Sequence, residues 1–125
     1  MNNLIIEPTK KTPSVRLIPK EGIFELRGNS IHEDTGEFYR PIMSKLEEYF
    51  SSPPPLTVVK IFLTYYNSSS SKWILNLFRL FEKYSKQGHE IQIQWFYEAD
   101  DEEVREDGID YGNLLDIPIK MHQAS

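Results

Sequence analysis

Four consecutive serines, Ser68-Ser69-Ser70-Ser71, follow Tyr65-Tyr66-Asn67 and precede Lys72. Their hydroxyls could cap a helix, accept a phosphoryl group or, beside a base, act as nucleophiles. The approach, Val58-Val59-Lys60-Ile61-Phe62-Leu63-Thr64-Tyr65-Tyr66, is β-branched and aromatic and reads as a strand. From Trp73 to Phe81 the apolar spacing becomes helical. Serines at such a junction lie beside backbone N–H groups that lack helical partners, a geometry that also suits a phosphate.

The other residues able to do chemistry are less organised. His32, His89 and His122 are scattered, and none has a partner at i,i+4 metal-ligand spacing. No nucleophile-elbow glycines flank the serines, so a small serine hydrolase stands as a lesser alternative. The cluster Glu98-Ala99-Asp100-Asp101-Glu102-Glu103 lacks the alternating ligands and central glycine of a calcium loop and reads as a solvated acidic surface. The six glycines are isolated, so no glycine-rich phosphate loop exists.

The elements that would position the serine junction follow from periodicity. Residues 1–13 read as a loosely held lead-in. Ser14–Ile18 and Ile23–Arg27 alternate around Lys20-Glu21-Gly22 and predict a β-hairpin. Phe38, Tyr39, Ile42, Met43, Leu46, Tyr49 and Phe50 mark a helix. Pro41 is harmless only in a first turn, which predicts a start near Glu37 to Arg40. Pro53-Pro54-Pro55 follows that helix. Leu56–Tyr66 is apolar nearly throughout, as for a central strand covered on both faces. After the serines, Trp73, Ile74, Leu77, Phe78, Phe81 and Tyr84 share one helical face, and Gly88 supplies a stop. Glu90–Tyr97 alternates as a fourth strand, parallel to the central one through a right-handed crossover. Glu98 to Gly112 offers a short, loosely packed helix, and Leu114 to Met121 a final strand or docked segment. The fold class is α/β: a single domain over residues 1–125, a mixed sheet with helices packed on it.

With 125 residues the chain can bury one core, and 39% hydrophobic with 26% charged residues is ordinary for a soluble domain. A net charge of −5 gives no basic footprint for nucleic acid or an anionic membrane. Without cysteine there is no disulfide, thiolate chemistry or cysteine-based zinc site. The N-terminus lacks the pattern of a signal peptide, and no apolar run reaches the roughly 20 residues of a membrane span. The expected location is the cytoplasm.

The serine run has two readings. In the plainer one, Asn67 or Ser68 caps the helix, a role worth about 1 kcal/mol. One serine suffices for that, however, and serine is a mediocre helix former in a first turn. In the second reading a serine is phosphorylated. The added charge of about −1.5 to −2 is tolerated by the fold, because a helix N-terminus favours an anion. A partner that must bury the same surface would be penalised by several kcal/mol.

These residues resemble the SiaC family of bacterial regulatory phosphoproteins. Tyr65-Tyr66-Asn67-Ser68-Ser69-Ser70-Ser71-Lys72 is similar to the family's strand-to-helix signature. Gly28-Asn29-Ser30-Ile31-His32-Glu33-Asp34, followed by Phe38-Tyr39-Arg40-Pro41, is similar to its N-terminal signature, and Thr9 and Thr12-Pro13 match its opening. The resemblance implies a fold like that of STAS domains and a non-enzymatic partner switch without a cofactor. In the switch so implied, a Ser/Thr protein kinase would phosphorylate the residue after the asparagine and a PP2C-type phosphatase would reverse this. The unmodified form engages a target, in characterised systems a diguanylate cyclase of cyclic-di-GMP and biofilm signalling. The implied phosphoacceptor is Ser68, with Ser69 and Ser70 as alternatives. Asn67, Ser69, Ser70, Ser71, Lys72 and Glu33 would form the cap and partner surface. His32 and Asp34 replace the Pro and Asn that often flank Glu33. A STAS partner of the anti-sigma-factor-antagonist type, with another client, is the alternative within this class.

Overall fold

Alternating and helical apolar spacings succeed one another along the chain, and each produces the element it encodes. In the computed structural model, which describes residues 1–124, the strands are β1 (Leu4–Ile6), β2 (Ser14–Ile18), β3 (Ile23–Ser30), β4 (Leu56–Tyr66), β5 (Glu90–Tyr97) and β6 (Ile119–Gln123). The helices are α1 (Thr35–Tyr49), α2 (Ser68–Lys86) and α3 (Glu102–Leu114). The strands form one sheet in the order of the chain. β1, β2 and β3 pair antiparallel, and β3 to β6 pair parallel. The segment expected as a loose lead-in thus supplies an edge strand, with Leu4 opposite Leu17 and Ile6 opposite Val15.

Each parallel crossover steps one strand over in the same direction. Right-handed connections therefore place α1, α2 and α3 on the same face of the sheet. Burial follows. Thr57, Val59, Ile61 and Leu63 of β4 are buried under the helices, while Val58, Lys60 and Phe62 on the other face are half-exposed. This corrects the expectation of a central strand covered on both faces. Val58 and Phe62 gave β4 its continuous apolar run, yet among the described residues no helix covers them.

The core lies between the sheet and the helices. Phe24, Leu26, Ile61 and Trp95 meet Tyr39, Ile42, Leu46, Ile74, Phe78 and Phe81, each no more than 1% exposed. Burying each large apolar side chain contributes about 1.5–3 kcal/mol. Trp73 and Tyr84 flank the apolar face of α2 and stay half-buried.

Helix α1 begins earlier than its proline suggests, because Asp34 caps it by accepting the Glu37 N–H at 3.2 Å. Pro41 then lies inside the helix. The bond it cannot make is to the carbonyl of Glu37, and both residues are exposed, so water can serve that oxygen. Helix α3 is better anchored than its composition indicated. Val104, Gly108 and Tyr111 are buried, and the Trp95 indole N–H donates to the Val104 carbonyl at 2.9 Å.

Candidate functional site

The site is built where β3 and β4 end together. Gly28, at φ +123°, allows an irregularity in β3 that brings Ser30 opposite Tyr66. The Asn67 N–H then donates to the Ser30 carbonyl at 3.2 Å, which fixes where α2 starts.

Asn67 is the N-cap, settling the choice between it and Ser68. Its Oδ1 accepts the Ser70 N–H at 2.9 Å and the Ser69 hydroxyl at 3.2 Å. Its Nδ2 donates to the His32 carbonyl at 3.4 Å. One amide thus holds the first turn of α2 and ties it to the loop after β3. The Ser71 N–H and hydroxyl both donate to the Asn67 carbonyl, at 3.0 and 3.4 Å.

This register gives the serines different fates. Ser70 is 0% exposed. Its oxygen lies 2.6 Å from the Ser30 carbonyl and 2.7 Å from the Ser30 hydroxyl, which is itself 2.6 Å from the Tyr39 hydroxyl. Each hydroxyl has one proton, so the chain runs one way: Tyr39 donates to Ser30, Ser30 to Ser70, and Ser70 to the Ser30 carbonyl. Burial pushes the ionisation of Tyr39 up to about 12. Ser69 is exposed with its hydroxyl engaged by Asn67, and Ser71 is half-buried. Ser68 is exposed and, among the described residues, its hydroxyl has no hydrogen-bond partner. Lys72, one turn along α2, is exposed.

Two tyrosines fasten the other side of the corner to α3. The Tyr66 hydroxyl donates to Asp107 Oδ2 at 2.5 Å, and the Tyr111 hydroxyl to the Ser71 carbonyl at 3.0 Å. Burial, then the bond to the Asp107 carboxylate, hold the ionisation of Tyr66 far above the usual phenol range. Burial also raises that of Tyr111.

The structure places the Glu33 loop beside the serines through the bond between Asn67 and His32. Glu33 itself points into solvent, its side chain 88% exposed, and meets Lys11 at 3.3 Å. Two large apolar side chains adjoin the corner in water: Ile31, 40% exposed, and Tyr65, 66% exposed. Sequence reasoning assigned neither a role at the site, nor Ser30, Tyr39, Tyr66, Asp107 or Tyr111, although Ser30, Ile31, Tyr39, Tyr65 and Tyr66 all lie in the two signature segments. The one available signal was the pair Tyr65-Tyr66 at a strand end, where alternation turns one ring inward and leaves the other outside. Of the four hydroxyls in the run, none is bonded to a histidine or carboxylate among the described residues. His32 Nδ1 accepts the Asp34 N–H at 2.8 Å instead.

The chain is similar to the crystal structure of apo-SiaC from Pseudomonas aeruginosa, with a TM-score of 0.89 at 23% identity over 99% of this chain and 100% of that one. It is similar also to SiaC in the crystal structure of diguanylate cyclase SiaD in complex with its activator SiaC, with a TM-score of 0.88 at 22% identity over 94% and 97% of the two chains. An uncharacterized protein of P. aeruginosa strain UCBPP-PA14 is 24% identical over 106 residues, covering 85% of this chain and 84% of that protein. The family model described as "SiaC family regulatory phosphoprotein" matches residues 6–124, and the chain accordingly belongs to the SiaC family.

Proposed function

We propose that this protein is a partner-switching regulator in which phosphorylation of Ser68 decides whether a target, a diguanylate cyclase, can dock around the start of α2. The observation that carries this reading is the division of labour among the serines. Ser70 is sealed in the core, Ser71 and Ser69 bond to Asn67, and Ser68 presents an exposed hydroxyl without a partner among the described residues. A kinase cannot reach Ser70 without opening the fold, so the structure counts against that alternative acceptor.

The backbone N–H groups of Ser68 and Ser69 have no acceptor among the described residues, because Asn67 serves Ser70 and the helical ladder begins at Ser71. A phosphate at this end meets those donors and the positive end of the helix, which stabilises it by about 0.3–1 kcal/mol or more. The fold therefore tolerates the modification. A target that covers Ile31 and Tyr65 would have to desolvate the same dianion, at a cost of several kcal/mol. Lys72 and the Lys11–Glu33 pair give the rim its charges. SiaC of P. aeruginosa forms a complex with the cyclase SiaD as its activator, which supports a cyclase as the target class. A hydrolase reading lacks a base bonded to any hydroxyl of the run among the described residues.

The test is intact-mass and peptide mapping after incubation with a cognate Ser/Thr kinase and ATP, before and after a PP2C-type phosphatase. One phosphate on the peptide containing Ser68, lost in Ser68→Ala, is expected. Unmodified protein should bind a cyclase at least about a hundredfold more tightly than the phosphorylated form, the ratio for a difference near 3 kcal/mol. Equal binding of the two forms, or undiminished phosphate uptake by Ser68→Ala, overturns the reading.

A further inference from the structure

The face of the sheet turned away from the helices is organised. Strands β3 to β6 are parallel, and parallel sheets are almost always covered on both faces. Here, among the described residues, one face carries no covering layer. Across the bare face, Arg27, Phe62, Phe96 and His122 form a row. The Arg27 guanidinium lies 5.0 Å over the Phe62 ring, Phe62 stacks on Phe96 at 6.0 Å, and Phe96 on His122 at 4.9 Å. In the next row, register aligns Arg16, Glu25, Lys60, Gln94 and Lys120. A concavity of about 400 Å³ lies between the rows, lined by Arg27, Lys60, Phe62, Phe96 and His122 among others. The His122 Nε2 is shut off from solvent and lacks a hydrogen-bond partner among the described residues.

We propose that this bare face is a second docking surface, and that its occupant is an acidic amphipathic helix of a partner protein. It does not rest on the modification of Ser68. Charge selects the occupant. On a chain of net charge −5, these two rows carry Arg16, Arg27, Lys60 and Lys120 against one carboxylate, Glu25. None of those four cations is held in an ion pair among the described residues. A second copy docked face to face would set two such cationic surfaces against each other. A planar small anion has little to stack on, because the rings of the row already face one another. A helix suits the shape. Four strands about 4.8 Å apart are some 14 Å wide, against the roughly 10 Å diameter of a helix. Its apolar stripe would cover Val58, Phe62 and Phe96, and its carboxylates would meet the flanking cations. An unpaired buried nitrogen is a cost the free protein carries. A carboxylate of the docked helix would relieve it at His122, on the edge strand, after a small turn of the ring.

The test uses the full chain and a synthetic helical peptide of about 18 residues, long enough to hold a helix, with leucines on one face and glutamates elsewhere. A lysine-for-glutamate counterpart is the control. NMR titration should move the signals of Lys60, Phe62, Phe96 and His122 with the acidic peptide and leave them in place with the basic one. Charge reversal in Arg27→Glu/Lys60→Glu should weaken binding about tenfold or more, since close cross-interface charge pairs carry that much. Lys120→Glu, at an exposed position, should weaken it in the same direction if the double variant fails to fold. Ser68→Ala should bind the peptide like the parent. No binding up to about millimolar peptide, shifts confined to the Ser68 corner, equal binding of both peptides, or a dimer by sedimentation that charge reversal abolishes would each overturn the proposal.

Discussion

The Ser70 hydroxyl donates to the carbonyl of Ser30 at 2.6 Å, joining the first turn of α2 to the last residue of β3. Ser30 and Tyr39 complete a one-way chain of protons in which every hydroxyl is spent. Ser70→Ala removes one of that carbonyl's two donors, the other being the Asn67 N–H, and leaves the buried Ser30 hydroxyl without its acceptor. Buried groups stranded in this way cost about 1–3 kcal/mol. Urea unfolding should show that loss as a lower midpoint with an unchanged slope. Phosphate uptake by the folded variant should be retained.

The bond between Tyr66 and Asp107 predicts behaviour in alkali. The ionisation of Tyr66 is raised in the folded state above its ordinary value of 10.0. A raised value contributes stability that is complete below that ordinary value and is lost as pH rises past it. The parent protein should therefore lose stability steeply above pH 10, the ordinary phenol value. Tyr66→Phe should be less stable at neutral pH by about 1.5 kcal/mol, the lower range for a hydrogen bond to a charged group. Its stability should fall less steeply in alkali. Equal slopes for parent and variant, measured by thermal unfolding at a series of pH values, would refute this.

Acid should act elsewhere. Glu82 Oε2 accepts the Asp116 backbone N–H at 2.6 Å, and Oε1 meets Arg79 at 3.2 Å. That backbone bond, more than the arginine, holds the Glu82 carboxyl below its ordinary 4.5. Lys86, 2.9 Å from Asp116, likewise holds that carboxyl below its ordinary 3.8. Lowered values contribute stability that is present above the ordinary values and is lost as pH falls through the folded ones. Glu82→Gln should thus be less stable than the parent at pH 7, and the two should converge as the pH falls below 4.5 and through the lowered folded value. Hydrogen exchange across 114–119 should accelerate in the variant at pH 7 and in the parent only in acid.

Two glycines of α3 should respond oppositely to the same substitution. A Cβ on Gly108 would meet the Trp95 ring at 2.4 Å, whereas one on Gly112 finds its nearest neighbour, Ile119, at 3.9 Å. Alanine gains about 1 kcal/mol over glycine in a helix interior. At Gly112 that gain should appear nearly whole in the melting temperature. At Gly108 overpacking of about 1–3 kcal/mol should outweigh it. The buried indole should report the disturbance by fluorescence.

Much of this architecture is legible in the sequence. The hairpin of β2 and β3, the helix after the serines and the strand Glu90–Tyr97 follow from turn residues and apolar period alone. The misses share a cause: local rules do not know what lies opposite. β4 reads as doubly covered because Val58 and Phe62 are apolar, although they face the bare side. Pro41 reads as a first-turn residue because nothing local shows that water can serve the Glu37 carbonyl. β1 is three residues long, too short to show a period. At the site, residue types gave the serine run and its neighbour Asn67. The roles of the individual serines waited on the choice of cap, and that choice is made by Ser30 and His32, whose carbonyls accept the two Asn67 donors from far away in sequence.

The single-residue spacing from Asn67 to Ser68 has a consequence for any engineered or naturally altered version of this corner. Each residue added or removed in a helix turns everything beyond it by about 100°. Deleting one serine would keep the composition of the tract almost intact and rotate the Ile74–Phe81 stripe out of the core, unless the helix started one residue earlier, at the cost of the Asn67 cap. For folding, the length of the tract matters as much as the one buried hydroxyl, that of Ser70. A library that varies its chemistry at fixed count should retain folding far more often than one that varies the count.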